Sequence, residues 1–110
     1  MGRQPLNTAA AVEDAVVQLG RNVATARMRR SWRQADLADK AGVHVNTVRS
    51  IEAGAPGTGI AAYAAALWAL GLVDQLQAVA GPERDPEGET LAAARLGERV
   101  RPARALDNDF

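Results

Sequence analysis

The stretch Gln34–Gly54 reads QADLADKAGVHVNTVRSIEAG, and its pattern decides the fold. Leu37 gives a short helix its inward face, and Ala38 is small where a second helix must cross closely. Gly42 follows the helical run, at a position where a left-handed residue costs least without a side chain. Val43, Val48 and Ile51 resume the apolar positions, the last two spaced three apart as one helix face requires. His44, Val45, Asn46, Arg49 and Ser50 are left outward, a hydrogen-bonding surface with a single charge. Two short helices meeting at a sharp turn make a helix-turn-helix, whose second helix is the expected DNA reader.

Upstream, Thr8 is the expected N-cap of an amphipathic helix running to about Arg30, with Glu13 and Asp14 in its early turns. Val12, Val16, Leu19, Val23 and Ala26 recur at spacings of four and three. Gly20 interrupts the helix with a poor helix former. Arg27, Arg29, Arg30 and Arg33 cluster where this helix meets the next, and Trp32 reads as a plug in the connection.

Downstream, GAPGTG at 54–59 is a turn-rich loop. It lacks the lysine and the serine or threonine of a nucleotide-binding loop, so a nucleotide site is not expected. Ile60, Tyr63, Leu67 and Leu70 mark a fourth helix ending at Gly71, and a fifth is expected from Val73 to Ala80. Trp68 and Leu72 either complete the core or form a dimer seam. Gly81-Pro82 breaks the pattern. Asp85-Pro86 then reads as an N-cap and first-turn proline, opening a sixth helix that carries Glu87, Glu89 and Leu91 to Gly97. Pro102 opposes a further long element, which leaves an extended tail ending at Phe110.

With 110 residues, one histidine and no cysteine, the chain is too short and too poor in catalytic groups to read as an enzyme. No cofactor or metal site is expected. No apolar run approaches membrane-spanning length, so a soluble cytoplasmic protein is the expectation. The net charge of zero hides an asymmetry. Residues 1–54 hold eight cationic and five acidic side chains, and residues 55–110 hold five and eight. The +3 half surrounds the motif, where phosphate must be met, and the −3 half lies behind it.

Over residues 15–75 the chain resembles the XRE, or Cro/C1-type, DNA-binding domains. The matching positions are Gln34, Leu37-Ala38, Ala41-Gly42-Val43, Thr47-Val48, Ile51-Glu52-Ala53-Gly54 and Ala69-Leu70-Gly71. The resemblance implies an all-α fold, a compact five-helix Cro/C1-type domain with an additional short C-terminal helix and an extended tail. It also implies an internal ion pair between Arg27 and Glu52. Arg33 and His44 depart from the family, which usually caps both motif helices with serine or threonine. The Gly54–Ile60 loop, the LWALGL stretch, the acidic segment at Asp85 and the terminal Leu-Asp-Asn-Asp-Phe resemble the antitoxins of HipA-type kinase toxins. That resemblance implies a dimeric autorepressor that also binds a toxin.

The expected division is 1–80 for DNA binding and 81–110 for dimer or partner contacts. Val45, Asn46, Arg49 and Ser50 are the expected base readers, with Asn46 suited to adenine and Arg49 to guanine. Arg30, Arg33, Gln34, His44 and Thr47 are expected on the DNA backbone, His44 having the alternative of an exposed residue without a role. The expected target is double-stranded DNA with an inverted repeat, bound by a homodimer. Asp107, Asp109 and Phe110 are expected to touch a HipA-like kinase toxin, unless the tail only solubilises. A stand-alone phage-like or metabolic regulator is the alternative to the antitoxin.

Overall fold

α1 runs 24 residues, Leu6–Arg29, the longest element in a chain whose described residues, 6–100 of this computed structural model, contain no strand. α2 (Gln34–Ala41), α3 (Val45–Ala53), α4 (Ile60–Ala69) and α5 (Val73–Gln77) follow, then a single 3-10 turn at Pro82–Arg84 and α6 (Pro86–Val100). The fold is all-α, as the sequence leads one to expect. The chain divides between Leu76 and Gln77 into two units.

In the first unit α3 packs against α1, α2 and α4, and α2 also packs against α4. The core these contacts enclose is Val23, Leu37, Ala38, Val48, Ile51, Tyr63, Ala66, Leu67 and Leu70. Leu37, Val48, Ile51 and Val23 have essentially no exposed surface. Each such side chain contributes about 1.5–3 kcal/mol of burial, so the motif's own apolar positions anchor the unit. Gly42, at φ 71°, turns the chain between α2 and α3 while the Val43 N–H closes onto the Ala38 carbonyl at 3.0 Å.

Gly20 is no defect in α1. It is buried, and a β-carbon there would strike the Ile51 carbonyl oxygen. Gly54, left-handed at φ 69°, likewise sits where a β-carbon would lie 2.7 Å from the Val17 Cα. The two glycines let the backbone of α1 run directly against the C-terminal end of α3. That approach fixes the angle at which α3 leaves the core.

Several expectations need correction. α1 begins at Leu6, not after Thr8, because nothing between these residues breaks a helix. Glu13 and Asp14 therefore lie beyond its first turn. Val12 and Ile60 are 58% and 65% exposed although periodicity counted them inward. Both lie in the N-terminal part of their helices. α5 stops at Gln77, because the chain turns through Ala80 (φ 59°) into Gly81-Pro82, and the residue before proline disfavours helix. Val79 is consequently exposed. α6 continues through Gly97 to Val100, since an interior glycine costs only about 1 kcal/mol. Leu72 packs on the core, whereas Trp68 is 63% exposed.

The second unit joins the 3-10 turn to α6. Asp85 caps α6, its Oδ1 accepting the Gly88 N–H at 3.1 Å. The extended tail, with Asp107, Asp109 and Phe110, lies outside the described residues. Among the described residues no helix is long and apolar enough to cross a membrane.

Candidate nucleic-acid interface

α3 starts after His44, whose extended backbone (φ −70°, ψ 148°) makes it the N-cap. The imidazole Nδ1 accepts the Asn46 backbone N–H at 3.0 Å. A ring that accepts at Nδ1 carries its proton on Nε2, so the cap leaves one N–H to donate outward. Histidine thus does the work of the usual serine or threonine and adds a donor at the helix N-terminus, where phosphates are favoured.

One turn on, Arg49 Nη1 donates to Asn46 Oδ1 at 2.7 Å, and both side chains are exposed. The bond holds two long polar groups side by side without consuming either. An amide oxygen keeps a second lone pair, and a guanidinium keeps four further N–H groups. Val45, Thr47 and Ser50 are half-buried, and Val45 also packs on the core. Asn46, Thr47 and Ser50 face Thr58, Gly59 and Ala62 across an open groove of about 300 Å³. Thr58 and the start of α4 belong to the same surface, and their place there was not foreseen because it depends on how the Gly54–Gly59 loop folds back.

Behind the helix lies a charged clamp. Arg27 Nε and Nη2 donate to the two Glu52 carboxylate oxygens at 2.7 and 2.9 Å, while its Nη1 donates to the Trp32 carbonyl at 2.8 Å. Both side chains are about nine-tenths buried. Hydrogen bonding to Glu52 pushes the Arg27 pKa up, against the opposing effect of burial. Gln34 Nε2 donates to the same carboxylate at 2.9 Å, so the residue expected on phosphate ties α2 to α3 here. Its carbonyl end carries no part of that bond.

The remaining cations differ in freedom. Arg30 Nη1 and Nη2 donate to the Ala26 and Leu70 carbonyls at 2.7 and 2.9 Å, fastening the end of α1 to the end of α4. Arg33 caps α2 through its neighbour. The Asp36 carboxylate accepts the Arg33 backbone N–H at 2.7 Å and its guanidinium at 3.1–3.2 Å. A guanidinium has no acceptor, so the capping is one-sided. The Arg33 side-chain bond and backbone N–H together hold Asp36 below the usual carboxylate range. Lys40 Nζ sits 4.8 Å from the Trp32 ring centroid, a cation–π contact. Among the described residues no cluster of three or more His, Cys, Asp or Glu could hold a metal ion.

This is the arrangement of a helix presented for a groove: capped, polar outward, sealed behind by a clamp. Residues 18–80 match the model of the helix-turn-helix domain. The chain belongs to that family. No curated protein and no solved structure matches it. The helix-turn-helix domain, of the XRE kind, spans the second half of α1 through α5 and makes this chain a DNA-binding regulator. Its family is typically non-enzymatic.

Proposed function

We propose that the protein is a sequence-specific transcriptional repressor that binds an inverted repeat as a homodimer, with α3 in the major groove. The observation that carries this is the exposed Asn46–Arg49 pair, held at 2.7 Å one turn inside a capped helix. Arg49 reads guanine O6/N7 and Asn46 reads adenine N6/N7, with Val45 and Ser50 beside them. His44, Arg33, Thr47 and the free end of Gln34 meet phosphate. Arg30 adds field rather than a fixed contact, since its guanidinium is engaged by two carbonyls. One helix makes too few base contacts for selectivity, which favours two half-sites about 34 Å apart.

Selection of bound sequences from a random duplex pool tests this reading. The pool should converge on a two-fold symmetric site, and Arg49→Ala should lose one base preference. Convergence on no sequence would overturn it.

A second reading, that the repressor is the antitoxin of a HipA-type kinase and represses its own operon, draws support from the second unit. Its acidic groove of about 800 Å³, lined by Glu83, Asp85 and Glu89, is unsuited to DNA. In this reading the segment 81–110, including Asp107, Asp109 and Phe110, holds the toxin. A kinase-like reading frame beside the gene, with toxin binding lost on removal of residues 101–110 while operator binding persists, is the expected outcome.

A further inference from the structure

Gln34 Nε2 donates to Glu52 Oε1 at 2.9 Å, while Arg27 grips both oxygens of the same carboxylate at 2.7 and 2.9 Å. A carboxylate accepts and never donates. The contact therefore admits one orientation of the amide, with its nitrogen toward Glu52 and its carbonyl away from it. The acceptor is itself fixed. Glu52 is about nine-tenths buried, and the guanidinium that pins it is anchored again on the Trp32 carbonyl at 2.8 Å. An unrestrained glutamine can turn its amide over and offer a donor or an acceptor alike. Gln34, half-buried at the start of α2, is held in one of those two states.

The held amide also stands beside the Asn46–Arg49 pair. Asn46, Arg49 and Glu52 follow one another at spacings of three along α3, so each neighbours the next, with Cβ atoms about 5–6 Å apart. Gln34 closes on the last of the three, one helical turn beyond Arg49.

We propose that Gln34 is a further specificity-determining residue, which reads the amino group of a base, and that Glu52 is the positioning residue that makes its reading one-way. The inference rests on the placement of α3 in the major groove. An amide has two N–H groups and one carbonyl. One N–H of Gln34 goes to Glu52, and the second is the one left for phosphate. The carbonyl cannot serve phosphate, whose oxygens only accept. In the major groove its complements are adenine N6 and cytosine N4, whereas guanine O6 and thymine O4 are acceptors and repel it. Gln34 thus sorts bases into amino and keto, accepting adenine or cytosine and rejecting guanine or thymine on the strand it faces. A glutamine with a free amide follows no such rule, because turning over gives guanine or thymine a donor. The buried clamp converts an indifferent side chain into a reader of two bases.

Selection from a random duplex pool tests this. Beside the positions lost in Arg49→Ala and Asn46→Ala, the parent should show one that accepts adenine and cytosine and depletes guanine and thymine. Gln34→Ala should lose that preference. Arg27→Met with Glu52→Leu leaves Gln34 in place but removes its acceptor, and should lose the same preference while keeping the one that depends on Arg49. A purely structural role for Glu52 would instead weaken all positions together. A second measurement requires no change in the clamp. In an operator with adenine at that position, purine in its place deletes only the 6-amino group. Binding of the parent should weaken about two- to tenfold, the worth of one hydrogen bond, and binding of Gln34→Ala should not change. A converged pool without an adenine-or-cytosine position that depends on Gln34 would overturn the inference and leave the reading by Arg49 standing. So would a preference unchanged in the double variant, or an amino deletion that costs the parent and Gln34→Ala alike. A pool that converges on no sequence would overturn both.

Discussion

Arg49 and Asn46 are bonded to each other in the unbound chain, Nη1 to Oδ1 at 2.7 Å. Two side chains that hold one another lose less freedom on binding than two loose ones, and each is oriented by its neighbour. The first prediction is non-additivity. On the selected operator, Arg49→Ala and Asn46→Ala should each cost about 1–3 kcal/mol. The double variant should lose less than their sum, because either change already frees the other side chain. Fluorescence anisotropy with all four proteins measures this, and strict additivity would show that the pair is not coupled. Arg33→Ala should instead weaken all sequences alike and reduce the salt slope by about one.

Gly20→Ala carries the second prediction, and its sign is the point. In an exposed helix interior, alanine is about 1 kcal/mol better than glycine. Here its β-carbon would strike the Ile51 carbonyl, which cannot move without shifting α3. The variant should be destabilised by about 1–3 kcal/mol, the usual cost of overpacking. Urea denaturation reads the change, and an unchanged or raised midpoint would show that α1 and α3 can separate freely.

The same residue marks the limit of what the sequence made legible. The helix-turn-helix could be read because its constraints are local: Leu37, Gly42, Val48 and Ile51 declare two helices and a turn within twenty residues. Gly20 looked like a weakness because its reason lies on another helix, thirty-one positions away. Periodicity leaves Trp68 open between core and dimer seam, because it gives a helix an apolar side but cannot say how many sides are covered. The caps of α2 and α3 were hidden differently. His44 accepts through a ring nitrogen, and Arg33 is capped by Asp36 rather than capping, so neither matched the serine or threonine looked for.

Glu52 is the acceptor for both Arg27 and Gln34 in a clamp with little exposed surface. Glu52→Ala would leave the Arg27 guanidinium buried without a counter-charge. Removing one partner of a buried pair costs about 3–5 kcal/mol. Arg27→Met with Glu52→Leu, which removes both charges, should recover much of that loss. Chemical denaturation of the three proteins decides it. A double variant no more stable than Glu52→Ala would show that the pair contributes more than its own neutralisation.

Tyr63 is 6% exposed, and among the described residues its hydroxyl has no hydrogen-bond partner. An unsatisfied buried hydroxyl costs free energy that the aromatic ring alone would not. Tyr63→Phe should therefore raise stability by about 1 kcal/mol, visible as a higher melting temperature. A loss of stability would reveal an ordered water on that oxygen.

The last prediction concerns acid. Asp36 is held below its ordinary range by the Arg33 guanidinium and backbone N–H, so the folded state binds its proton more weakly than the unfolded chain does. Above the unfolded value of about 3.9 the carboxylate contributes its full stabilisation. As pH falls from about 5 through that value and then through the lower folded one, the contribution disappears. The first turn of α2 should thus loosen in acid, with Arg33 losing both its cap and its restraint. Asp36→Asn should be less stable than the parent near neutrality and should show a flatter decline between about pH 5 and pH 3. Denaturation midpoints across that range measure the difference. Parallel curves for the two proteins would mean that Asp36 titrates alike in both states, and that the α2 cap does not depend on its charge.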